Sequence, residues 1–527
     1  MNRNLSRLHR LVGMWVLLAF LVSSAYAQPL ASEYTPLAAF TINSTIDAVD
    51  AAPGNGVCAT AGSVCTLRAA LQEANALAGD DTVIVPSGTY TLTIAGINEN
   101  AAATGDLDLT SNITLTGAGA ATTIINGGWI DRVLHVTGVF TVNISGLTIT
   151  HGNSSGGGLR NDGGALTIAD SVISDNNSGA AAGGVLNSGT LALVHSTIFD
   201  NNAGTDAGGI SSSGVLTITT STFDSNNAGA DAGGIASSGV LTITNSTFTS
   251  NNAGADGGGI FNSGNVKIVN TTFYTNNASS GGGIYSSGGV VTATTSAFSG
   301  NTAWTGGGIY DGGGVITVTH STIAENSAST GGGLFTQFDV TIANSTLSDN
   351  SASDGDDTYT NGGALTIINS TIFGQVSDPD RAADLTGNRP AGTGGGVYNS
   401  GGIVTLRNTI VAGHDSGGNC VGVITNGGHN LDDGATCGWG SLNGSLSSVN
   451  PCLGTLTGSP AYFPLNPASP AIDAGHNAVC AAAPVNNTSQ NGITRPIDGD
   501  GNGAATCDIG AFEGAKGFRV YLPYIVK

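Results

Sequence analysis

From Ile173 to Asn350 the chain carries a single basic residue, Lys267. Charge is scarce throughout: Asp, Glu, Lys and Arg make up 9% of residues, and 36 acids face 14 bases. A net charge of −22 repels nucleic acid and anionic bilayers, which excludes a nucleic-acid partner. Disorder is excluded too, because 40% of residues are apolar and fall in regular patterns. Helical spacing is missing from most of the chain, and its many Gly-Gly pairs would break a helix. No CxxC or histidine pair has zinc-ligand spacing, and no phosphate loop, triad or cofactor fingerprint occurs. No apolar run reaches the roughly 20 residues a membrane helix needs, so the mature chain is expected to have no transmembrane span.

The N-terminus reads as a secretory signal peptide over residues 1–27. Arg3, Arg7 and Arg10 precede an apolar run from Leu11 to Val22, and Ala25-Tyr26-Ala27 supplies small residues for cleavage. The chain is therefore expected outside the cytoplasm: secreted, at the cell surface, or associated with an outer membrane where one exists.

What the chain does have is a beat. Asn176, Asn201, Asn226, Asn251, Asn276, Asn301, Asn326 and Asn350 follow one another at intervals of 25 residues, the last of 24. An apolar residue stands three positions before each, four times in succession as Phe223, Phe248, Phe273 and Phe298. Glycine runs keep the same period. Between them, stretches such as GVLTITTSTF (214–223) alternate apolar and threonine, the period of a strand buried on one face. Units of this length built from short strands and glycine corners imply an all-β fold, a right-handed parallel β-helix, over residues 81–415. Stacking should then place the four phenylalanines in an internal aromatic column and the asparagines in an amide ladder. The alternative for the asparagines is a ligand site. Glycine should recur where corners need positive φ or where a Cβ would clash.

A stack of coils exposes strand edges and needs caps. CTLRAALQEAN (65–75) reads as a capping amphipathic helix, with Thr66 as N-cap and Leu67, Ala70, Leu71 and Ala74 on one face. This region (39–80) resembles the bacterial CSLREA domain through Cys65, Leu67, Arg68 and Ala70, with Thr66 in place of serine. The GG[IVL] and FxxN elements of the coils are similar to the repeats of polymorphic outer-membrane proteins and to the pectin-lyase superfamily. Residues 416–514, through SPAIDAGHNAVC and ITRPIDGDGNGAATCDIGAFE, resemble the choice-of-anchor Q domain of surface proteins. These resemblances imply an exported surface or adhesin-like protein. Polymorphic outer-membrane proteins end in a membrane barrel. Here the final segment 515–527, ending in KGFRVYLPYIVK, reads instead as a sorting tail or a last strand.

Seven cysteines cluster towards the two ends. The candidate bridges are Cys58–Cys65, Cys420–Cys437 and Cys480–Cys507, leaving Cys452 over. Two acidic stretches are candidate calcium sites. DGDGNG sets Asp498, Asp500 and Asn502 at alternate positions, with Asp508 nearby; Asp354, Asp356 and Asp357 form the weaker set. Each has a plain polar turn as its alternative. Calcium is the only cofactor the sequence suggests.

The histidines His135, His151, His195 and His320 fall at unrelated phases of the repeat and read as surface or turn residues. If a catalytic site exists, the loop 377–390 is its place, where Asp378, Asp380, Arg381, Asp384 and Arg389 interrupt the beat. The sequence thus points to a non-catalytic, elongated exported protein that binds glycans or cell-surface components. A polysaccharide lyase or glycoside hydrolase of the pectin-lyase-like superfamily is the alternative.

Overall fold

The computed structural model describes residues 37–97, 99–374, 395–414 and 417–514. Residues 1–27, read above as a signal peptide, the terminal 515–527 segment and the loop bearing Asp378, Asp380, Arg381, Asp384 and Arg389 lie outside the described residues.

The chain winds as a right-handed parallel β-helix. Successive coils stack in strict register, Leu216 on Leu241 and Ile218 on Ile243, so each short strand continues a sheet running along the axis. Among the described residues these sheets have 26, 15 and 4 strands; antiparallel pairing is confined to the C-terminal chain, in the strands Thr457–Gly458 and Ala461–Tyr462 and three isolated bridges. Alternation decides what is inside. Leu216, Ile218, Leu241 and Ile243 are fully buried, whereas Thr217 between them is exposed. Parallel stacking continues past residue 415, to Leu431–Asp432 against Leu446–Ser447.

Both expected columns are present. Phe223, Phe248, Phe273 and Phe298 are fully buried, with successive ring centroids 4.6, 4.8 and 4.9 Å apart. The coil spacing, close to the usual strand separation, imposes this face-to-face stack. In the asparagine ladder each Nδ2 donates to the next Oδ1, from Asn176 to Asn201 at 3.0 Å through to Asn326 and Asn350 at 2.9 Å. A serine ladder runs beside it. The backbone N–H of Ser171 donates to Ser196 Oγ, that of Ser196 to Ser221 Oγ, and that of Ser221 to Ser246 Oγ.

Glycine and positive φ divide the corners differently from expectation. Much of the left-handed backbone falls on His195, Thr220, Asn245 and Asn270, at φ of 46–52°. The paired glycines serve close approach instead. A Cβ on Gly233 would lie 2.4 Å from the amide nitrogen of Asn252 in the next coil.

The helix Leu67–Ala76 closes the N-terminal end. Thr66 Oγ1 accepts from the Ala69 N–H at 3.1 Å, and the apolar face named above is buried. Arg68 is buried as well, paired with Asp47 at 2.6 Å. At the other end the chain folds back along the outside of the 15-stranded sheet. Thr322 Oγ1 donates to the Ala461 carbonyl at 2.6 Å, Thr346 Oγ1 to Gln490 Oε1 at 2.6 Å, and the Ala511 N–H to Thr371 Oγ1 at 3.1 Å. Disulfides join Cys58 to Cys65, Cys420 to Cys437 and Cys480 to Cys507, and Cys452 is a free thiol.

Candidate functional site

A cleft of about 470 Å³ opens on the solenoid between the coils that carry Trp129, His151–Asn153, Asp175–Asn177 and Asp200–Asn202. Trp129 stands on a turn with φ of 61° and is 49% exposed, an unusual state for so large an apolar side chain. Its backbone N–H donates to the His151 carbonyl at 2.8 Å, and the indole and imidazole rings meet edge to face at 4.7 Å. Beside it runs a second amide ladder, on the surface and of opposite polarity to the buried one. Asn177 Nδ2 donates back to Asn153 Oδ1 at 3.1 Å, and Asn202 Nδ2 to Asn177 Oδ1 at 2.8 Å.

Asp175 and Asp200 form the third wall. They occupy equivalent left-handed corners of consecutive coils, so their backbones are one strand spacing apart, roughly 4.8 Å. Partial burial and the neighbouring carboxylates of Asp175 and Asp224 raise the pKa of Asp200 above the ordinary value. An aromatic plate, a row of amides and two carboxylates suit a ligand with apolar ring faces and many hydroxyls. An anionic ligand would meet like charge here.

A second feature lies on the 26-stranded sheet. Phe261, Tyr285, Tyr310, Phe335, Tyr359 and Tyr398 stack in one outward column with centroids 4.7–5.3 Å apart. The column stops at Phe261 because its next register partners are Ala236 and Ser211. The missing bulk leaves a groove of about 240 Å³ against the free face of Phe261, walled by Asp206 and Asp231. Burial first, and then the charges of Asp256 and Asp206, raise the pKa of Asp231.

The sequence-predicted residues fall elsewhere. Asp498 and Asp500 are brought together with Asp473 rather than Asp508. Asp473 accepts from the N–H groups of Gly499 and Asp500, and Asp498 from those of Gly501 and Gly503. Asn502 Nδ2 donates to Asp500, while Asp508 accepts from the Asp473 and Gly514 N–H groups. Asp357 closes the buried ladder: its oxygens meet Asn350 Nδ2 and His414 Nε2, both at 2.7 Å. Asp356 accepts from the Ala352 N–H at 2.8 Å, and Asp354 lies on the same turn. His151, His195 and His320 occupy left-handed corners, in keeping with turn residues. His135 does not: it sits on the strand Leu134–Thr137 and is 7% exposed.

Residues 234–411 match the family model described as the right handed beta helix region, to which this stretch of the chain is therefore similar. No curated protein and no solved structure matches the chain.

Proposed function

We propose that this is an exported, non-catalytic β-helix protein that acts at the cell surface or outside the cell by binding neutral or hydroxyl-rich glycans. The observation that carries the reading is the half-exposed Trp129 beside the Asn153–Asn177–Asn202 ladder and the Asp175–Asp200 pair. Export is supported by the signal-like N-terminus and by three disulfides, which persist in oxidising compartments. Resemblance of the two ends to surface-protein domains supports it too. The cleft and the Phe261 groove lie on one stiff solenoid, an arrangement suited to several weak contacts with one polymer.

The test is retention of the chain on immobilised neutral and acidic polysaccharides, with release of reducing or unsaturated ends measured in parallel. Retention on neutral polymers without products is expected, weakened about tenfold or more by Trp129→Ala, which corresponds to about 1.4 kcal/mol. Retention that ignores this substitution overturns the cleft as the site.

One observation favours a second reading, glycoside hydrolysis. Asp175 and Asp200 stand as a carboxylate pair on equivalent corners of consecutive coils, and the raised pKa of Asp200 suits an acid. Products released by the wild-type chain and abolished by Asp200→Asn would establish it.

A further inference from the structure

Away from the cleft, the first coils gather a dense set of buried ionisable groups. Stacking puts Asp108 opposite His135, and His135 opposite Arg160, on three consecutive coils. His135 Nε2 lies 3.1 Å from Asp162 Oδ2, an oxygen that Arg160 Nε also reaches at 2.8 Å. A carboxylate on Nε2 holds the ring proton there and turns the Nδ1 lone pair to the other side. On that side Nδ1 meets two more acceptors, Asp108 Oδ1 at 3.3 Å and Asp106 Oδ2 at 4.0 Å.

All three atoms lie within 4.8 Å of one another, on residues 7%, 0% and 2% exposed in the same order. Neither carboxylate oxygen accepts a well-directed hydrogen bond. Arg132 Nε stands 3.0 Å from Asp106 Oδ2 as an ion pair, but its own N–H is not aimed well enough to bond. The other oxygen of Asp108 is committed, accepting from the Ala102 N–H at 2.8 Å. Buried carboxylate oxygens without a hydrogen bond are costly, and protein interiors seldom leave them so.

Charge counting gives the same answer. With all four carboxylates ionised and the imidazole neutral, Asp106, Asp108, Asp131 and Asp162 exceed Arg132 and Arg160 by two negative charges. A dication cancels them. Donors held roughly 2.0–2.2 Å from one ion lie about 3–3.5 Å apart, which fits the 3.3 Å contact and asks Asp106 to close in slightly.

We propose that Asp106 Oδ2, Asp108 Oδ1 and His135 Nδ1 form a binding site for a divalent transition cation, zinc or manganese, that ties the first coils together. An imidazole nitrogen among the ligands selects against calcium, which takes oxygen donors. Asp162 is a positioning residue, orienting the imidazole from behind.

The test uses the untagged chain, stripped with chelator and checked for fold by circular dichroism. It is titrated separately with zinc, manganese and calcium, and bound metal is counted by elemental analysis. One zinc or manganese ion per chain is expected, abolished in Asp108→Asn and His135→Gln. In Asp162→Asn, which leaves all three ligands in place, the affinity should fall about 10–100-fold. If the ligand variants fail to fold, the Asp162→Asn shift decides. A folded wild-type chain that takes up neither zinc nor manganese overturns the proposal. So does calcium-only binding, or uptake that none of the folded variants changes.

Discussion

At the scale of single residues, His414 is the clearest lever. It is buried at the end of the asparagine ladder, with Nε2 against Asp357 and Nδ1 against Asn419 at 3.1 Å. Burial by itself pushes its pKa down, but the Asp357 hydrogen bond and charge, helped by Asn419, carry it above the ordinary 6.5. The charged pair therefore contributes in full below about pH 6.5 and loses that contribution as the pH rises through the raised folded value. The melting temperature should fall across that window, and His414→Gln should flatten the fall. Equal slopes in both proteins would assign the pH dependence to another group. Gly233 gives a second test. A methyl there meets the Asn252 nitrogen at 2.4 Å, backbone that cannot swing away. Gly233→Ala should cost about 1–3 kcal/mol in denaturant unfolding, the usual range for overpacking.

At the scale of elements, the two amide ladders make a controlled pair. Asn251 Oδ1 accepts from the backbone and side chain of Asn226, and its Nδ2 donates to the Phe223 carbonyl and to Asn276. Alanine at 251 removes four buried hydrogen bonds at once and should cost at least about 3 kcal/mol. Asn227→Ala, in the exposed ladder one coil earlier, should stay within about 0.5 kcal/mol, since water replaces its partners. The buried ladder and the phenylalanine column were legible in the sequence because a fixed period turns distance along the chain into contact across coils. The outer aromatic column keeps nearly the same period as far as Tyr359, but its members vary between Phe and Tyr, most of them two positions past a glycine run. Attention to Asn and Phe alone passes over it. Trp129, Asp106 and Asp108 precede the regular beat, where coils of unequal length hide which residues become neighbours. Asp473 reaches Asp498 only through the folded-back C-terminal chain, a contact that no local spacing encodes.

At the scale of the whole fold, stability should be distributed as in a one-dimensional array, with the ends as weak points. The returning segment is held to the coils by a few side-chain bonds and is cross-linked within itself by the Cys480–Cys507 bridge, which closes a separation of 27 residues. Cross-links of that span contribute about 3–4 kcal/mol by restricting the unfolded chain. Under reducing conditions, limited proteolysis should first cut within residues 473–507 and leave the coils from Ile173 to Leu347 intact. Simultaneous loss of both would show that the clasp and the array unfold as one unit. The strict register of the middle coils has an evolutionary and engineering consequence. Because the coils at Asn201, Asn226 and Asn251 are near-duplicates joined through identical ladders, one can be gained or lost by recombination without altering either neighbour's bonding. Each such event would change the interval between Trp129 and the clasp by about 4.8 Å. The repeat is thus a ruler whose graduations are heritable, and the reach of the binding face can be reset in steps while the face itself stays the same.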